Sequence, residues 1–119
     1  MREQRAEAGE RIRARRGEIA ARLAAVENRL GEVRRGRAEW TDEEHDPEGF
    51  ALTFEWQQAE GARQEHQAEL AALDAAEGRV AAGTYGTCAV CGEPIPDAQL
   101  ELRPARTECV ACAGRGLRR

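Results

Sequence analysis

The chain has 119 residues, of which 41% are hydrophobic, 34% charged and only 4% aromatic. One domain's length therefore comes without the bulky side chains of an ordinary globular core. A net charge of −4 gives no global electrostatic reason to bind nucleic acid, and no apolar run approaches the roughly 18 residues of a membrane span.

Most of the apolar count is alanine, which buries little surface. Long paired helices plus a metal-stapled module are the route to order that such a composition leaves. All 18 basic residues are arginine, a bias that fits a GC-rich genome. Residues 1–39 carry a net +4, residues 50–82 a net −4, and the stretch between them holds Asp42, Glu43, Glu44, Asp46 and Glu48.

The first segment predicts one helix from about Glu3 to about Glu39. Ile12, Ile19, Val26, Val33 and Trp40 recur every seven residues, and Leu23 and Leu30 follow four residues after Ile19 and Val26. That is a coiled-coil seam. Arg16 and Arg37 interrupt it, and Gly9, Gly17, Gly31 and Gly36 each cost a helix interior about 1 kcal/mol. The helix therefore needs a partner.

Residues 41–49 break the pattern. Pro47 disfavours helix at Asp46, and Asp46 before Pro47 is a good N-cap with proline in the first helical position. The second helix is predicted from about Pro47 to about Ala82. Leu52, Ala59, His66, Leu73 and Val80 repeat every seven residues, with Trp56 and Leu70 beside them and Arg63 interrupting. Gly83 is a natural stop. Each helix would rise roughly 50–55 Å, and the short connector makes them antiparallel. A basic first arm and an acidic second arm then attract along their flanks. The hairpin satisfies its own seam, which predicts a monomer.

From Gly83 the style changes. Glu93-Pro94-Ile95-Pro96 and Leu100-Glu101-Leu102-Arg103-Pro104 suggest short strands and turns, and the residues after Cys112 suggest a short helical turn with a basic tail. All four cysteines fall here as two CxxC pairs, Cys88/Cys91 and Cys109/Cys112, seventeen residues apart. That spacing fits a four-thiolate zinc site. Gly92 after the first pair suits a backbone turning tightly around a metal. Two disulfides in a secreted mini-protein are the competing reading. The opening Met1-Arg2-Glu3-Gln4, with no apolar run behind it, predicts a cytoplasmic chain in which thiols stay reduced. The expected cofactor is one structural zinc ion, held by Cys88, Cys91, Cys109 and Cys112.

The predicted fold class is mainly α: a long antiparallel helical hairpin (a coiled coil) with a small C-terminal four-cysteine zinc-finger module. Residues 1–82 would form the hairpin with an acidic tip at 41–49, and residues 83–119 the finger. With four cysteine ligands no coordination position is open for chemistry. No nucleophile–base pair or phosphate-cradling glycine loop is present. His45 and His66 read as a loop and a seam histidine, so no enzyme is expected.

The run Gly83-Thr84-Tyr85-Gly86-x-Cys88-x-x-Cys91-Gly92-x-x-Ile95, followed by Leu100, Pro104 and Cys109-x-x-Cys112, resembles the DksA/TraR family of C4 zinc-finger proteins. The resemblance covers about residues 73–113. It implies a transcription regulator that binds RNA polymerase, not DNA, by inserting the tip of its coiled coil into the secondary channel. Acidic tip residues then act near the catalytic centre, and some members work together with the alarmone ppGpp. The carried-over tip residues are Asp42, Glu43 and Asp46. The family's best-known members show Asp-x-x-Asp-x-Ala at the tip. Here Asp42 and Asp46 stand four apart, Glu43 and Asp46 three apart, and Glu48 falls where alanine would. The chain starts almost directly with the coiled coil, and its last helix is short, so no ppGpp residues are carried over.

Two other classes remain beside this one. Five arginines in residues 83–119 could touch phosphate, as in a DNA-binding zinc finger, but the module is only +1 and shows no basic stripe. Exposed thiolates at a knuckle could release zinc on oxidation, as in a zinc- or redox-responsive protein.

Overall fold

The structure, a computed structural model, describes residues 2–39 and 47–116. Its elements in order are α1 (Arg2–Glu39), α2 (Pro47–Ala82), α3 (Asp97–Leu102) and α4 (Val110–Gly116). The two long helices fall within a residue of the spans the periodicity predicts. Trp40, Asp42, Glu43, His45 and Asp46 lie outside the described residues, as do the side chains of Arg37 and Leu52.

The chain clusters into two compact units. Met1–Gly17 and Leu70–Arg119 form one, and Glu18–Glu69 forms the other. The helices run antiparallel in each.

In the first unit Ile12 packs with Leu73 and Ala76, and Val80, Tyr85 and Ala105 close over them. Ile12, Leu73 and Ala76 are fully buried. Ala8, one turn before Ile12 on the same face, is buried too. Small side chains at Ala8 and Ala76 let the helices approach closely beside the larger Ile12 and Leu73, so a seam poor in bulk still packs. Arg16, which interrupts the heptad series, lies along this seam and pairs with Asp74 and, at 2.9 Å, with Glu77. Its side chain is half-buried while its guanidinium reaches the α2 carboxylates.

In the second unit Ile19, Leu30, Val33 and Ala59 are buried, while Leu23 and Val26 are half-buried. Arg29 pairs with Glu55 at 3.1 Å. Arg34 stacks over the Trp56 ring, 5.5 Å from its centroid, a cation–π contact. Arg63 interrupts the α2 series as Arg16 interrupts α1. Its Nε donates to Glu60 at 2.8 Å. That hydrogen bond holds the Glu60 carboxyl below its usual range and raises the Arg63 guanidinium in turn. An open groove of about 600 Å³ lies over Leu30 and Gly31, walled by Trp56, Glu60 and Arg63. The pairs of Arg16 with Asp74 and Glu77 and of Arg29 with Glu55 join basic α1 to acidic α2, as the charge division predicts.

The α2 end is a Schellman motif. Gly83 sits at φ +80°, its N–H donates to the Val80 carbonyl at 3.2 Å, and the Thr84 N–H donates to Arg79 at 2.9 Å. Only glycine enters that left-handed region without strain.

The finger departs from the sequence expectation in one respect. No strand is present among the described residues, only an isolated antiparallel bridge between Thr87 and Pro94. The Leu-Glu-Leu alternation that reads as strand is helical in α3. The Pro96 carbonyl accepts the first bonds, from Gln99 at 3.0 Å and Leu100 at 3.2 Å. Residues two apart lie about 200° apart around a helix, so Leu100 enters the core while Leu102 stays 82% exposed. Strand and short helix give the same in–out pattern over three residues.

Candidate metal centre

Each CxxC closes into a knuckle through one backbone bond. In the first, the Gly92 N–H donates to the Cys88 carbonyl at 3.0 Å, with Gly92 at φ +76°. In the second, the Ala113 N–H donates to the Cys109 carbonyl at 3.0 Å and the chain continues into α4. The first knuckle is anchored behind by Cys88 N–H to Glu93 at 2.9 Å and Ile95 N–H to Gly86 at 2.7 Å. A cross-link from Ala89 N–H to the Thr107 carbonyl, 2.9 Å, sets the two knuckles face to face. Gln99 of α3 accepts from the Val110 N–H at 3.0 Å, which fixes the start of α4. Behind the thiols, Cys88, Cys112, Ile95 and Leu100 form a small buried core against which Tyr85 and Cys109 pack.

The four Sγ atoms of Cys88, Cys91, Cys109 and Cys112 lie within 4.8 Å of one another. Tetrahedral Zn–S bonds of about 2.3 Å require sulfurs about 3.8 Å apart, so one ion fits with little adjustment. Cys88 and Cys112 are buried, Cys109 half-buried and Cys91 exposed. All four thiols are free of disulfides. They form the one such group of histidine, cysteine or carboxylate side chains among the described residues. The cofactor is a single structural zinc ion, as the spacing predicts.

The electrostatics around the sulfurs are uneven. Backbone N–H groups of Cys91, Cys109 and Val90 point at the Cys88 sulfur and lower its ionisation to about 6. The Cys109 N–H lies 3.4 Å from that sulfur. Cys112, hydrogen-bonded to the Cys109 sulfur and buried, is pushed up to about 12. Without a cation the cluster thus holds one thiolate readily and resists the fourth. A divalent ion removes that conflict. Arg115, one turn after Cys112 on α4, places a guanidinium nitrogen 3.8 Å from the Cys112 sulfur. It partly offsets the negative charge of a four-thiolate centre.

Sequence reasoning missed the residues that dock this centre onto the hairpin. The Tyr85 hydroxyl donates to the Pro104 carbonyl at 2.8 Å, and Arg79 reaches the Ala105 carbonyl at 3.4 Å. Tyr85 belongs to the Gly-Thr-Tyr-Gly lead-in, but nothing in the sequence ties it to Pro104, nineteen residues on. His66 is half-buried on α2 and joins no metal group. Among the described residues no helix is long and apolar enough to cross a membrane.

Residues 83–115 match the family model of the prokaryotic DksA/TraR C4-type zinc finger, the family that the lead-in and cysteine spacing resemble. No curated protein matches the chain. Among solved structures, transcription factor DksA2 from Pseudomonas aeruginosa superimposes with a TM-score of 0.80 at 24% identity, over 97% of this chain and 84% of that one. The two share a fold.

Proposed function

We propose that this chain, with its DksA/TraR-type finger, is a zinc-dependent transcription factor that acts by binding RNA polymerase through the secondary channel. The observation that carries the reading is the pairing of that finger with a long antiparallel helical hairpin, the same combination of elements found in a protein known as a transcription factor. In this reading residues 1–82 are the inserting hairpin and residues 83–119 the module that holds its base. Zinc is structural, held by Cys88, Cys91, Cys109 and Cys112, and no catalysis is assigned to the chain. Asp42, Glu43 and Asp46 would act at the polymerase centre, where carboxylates influence metal-bound chemistry. The protein works as a cytoplasmic monomer, without reading DNA sequence.

The test is binding of the zinc-loaded protein to core RNA polymerase, with a secondary-channel factor as competitor. Binding abolished by the competitor supports the reading. Binding indifferent to it, or none, refutes it. Asp42→Asn with Asp46→Asn should keep binding and lose the effect on transcription; an unchanged effect removes the tip assignment. A salt-sensitive shift of DNA by the full protein, without polymerase, would favour the DNA-binding alternative.

A further inference from the structure

Tyr85 belongs to two cores at once. On one side it packs against Cys88, Ile95, Leu100 and Cys112, the core directly behind the metal-binding thiols. On the other it packs against Ile12, Leu73 and Ala76, the core at the base of the hairpin. Its hydroxyl is fixed to Pro104 at 2.8 Å, and its N–H donates to the Arg79 carbonyl in the last turn of α2 at 3.2 Å. The neighbouring Ala105 also closes over the hairpin core and accepts from Arg79 at 3.4 Å. The finger and the ends of the two long helices therefore share one compact unit, from which Glu18–Glu69 is separate.

The finger's own core is four side chains, two of them cysteines. A core of that size does not hold its shape without its metal. Loss of the ion would loosen the segment that carries Tyr85 and Ala105. The hairpin core would then lose its cover over Ile12 and Leu73, which are fully buried.

We propose that Tyr85 is the positioning residue through which metal binding at the four cysteines orders the base of the hairpin. The ordered region is residues 2–17 of α1 and 70–82 of α2. The part of the hairpin in residues 18–69 is outside its reach. Metal occupancy thus sets where the paired helices begin, independently of which partner the hairpin meets.

Hydrogen exchange of the full-length protein tests this, with zinc bound and after chelation. The expected result is a rise of about tenfold in exchange at residues 2–17 and 70–82 on chelation, beside the rise in the finger. Residues 20–36 and 53–69 should change less than about twofold. Tyr85→Ala, with one zinc per chain verified by a colorimetric release assay, should show the fast exchange at the base even when loaded. Tyr85→Phe keeps the ring's packing and removes the hydroxyl's hydrogen bonds, to Pro104 and with Arg11 of α1. Loaded with zinc, it should fall between the loaded and chelated wild type at the base. Base protection indifferent to chelation in the wild type would overturn the proposal. So would wild-type base protection in loaded Tyr85→Phe, or loss of protection spread evenly through residues 18–69.

Discussion

Replacing three helical glycines, Gly17, Gly61 and Gly78, by alanine should make this protein markedly more stable. Each lies inside α1 or α2 and is exposed. None appears among the glycines with positive φ, which are Gly83, Gly86 and Gly92. A Cβ built at each of the three meets nothing within 4 Å, so no packing cost opposes the gain in helix propensity. Alanine is favoured over glycine in a helix interior by about 0.8–1.0 kcal/mol. The three sites share no partner and should add, to about 2.5–3 kcal/mol. For a chain of this size about 4 °C accompanies each kcal/mol, so the melting temperature should rise by about 10 °C. Far-ultraviolet circular dichroism through a thermal melt measures it, with a urea titration to check that the midpoint moves at constant slope. Gly83→Ala is the control of opposite sign. Its φ of +80° is hostile to a Cβ, so it should destabilise by about 1 kcal/mol or more. No rise in the triple variant, or a rise in Gly83→Ala, would refute the assignment of these positions to regular helix and Schellman cap.

Ile12→Ala removes a fully buried side chain from the hairpin base and should cost about 2–5 kcal/mol, read from the shift in urea midpoint. Acidification should release zinc. In the metal-free cluster the Cys88 ionisation, lowered to about 6 by the N–H groups aimed at its sulfur, contributes stability that is complete above a thiol's ordinary range and lost as pH falls through about 6. With zinc bound, protons compete with the metal for the thiolates in the same direction. A chromogenic chelator should therefore capture zinc faster in mild acid than at neutral pH; a release rate independent of pH would contradict thiolate ligation.

The two long helices were legible because heptad spacing and punctuation agreed. Ile12, Ile19, Leu30 and Val33 are buried as the repeat requires, and Gly83 stops α2 where its backbone turns left-handed. The zinc site was legible because CxxC spacing constrains geometry over only four residues. What was not legible has a common cause. Ala8, Ala59 and Ala76 are buried, but in an alanine-rich chain hydropathy does not separate a buried alanine from an exposed one. Leu100 and Leu102 gave an alternation that strand and short helix share. Tyr85 to Pro104 is a tertiary contact, set by how the finger sits on the hairpin base and not by local pattern. Arg16 and Arg63 read as defects in the seam from sequence alone, and the carboxylates that pair with them, Asp74 and Glu77 for Arg16 and Glu60 for Arg63, are set by helix placement and not by the heptad pattern.

Among the described residues, the ion pairs of Arg16 with Asp74 and Glu77 and of Arg29 with Glu55 cross between α1 and α2, and their basic partners are arginines. A guanidinium presents a rigid planar fork of donors that matches a carboxylate, which a lysine ammonium does not. With no lysine in the sequence, acetylation of side-chain amines cannot mute the positive arm that these pairs draw on. The electrostatic character of α1 is fixed by composition, and changing it requires a substitution.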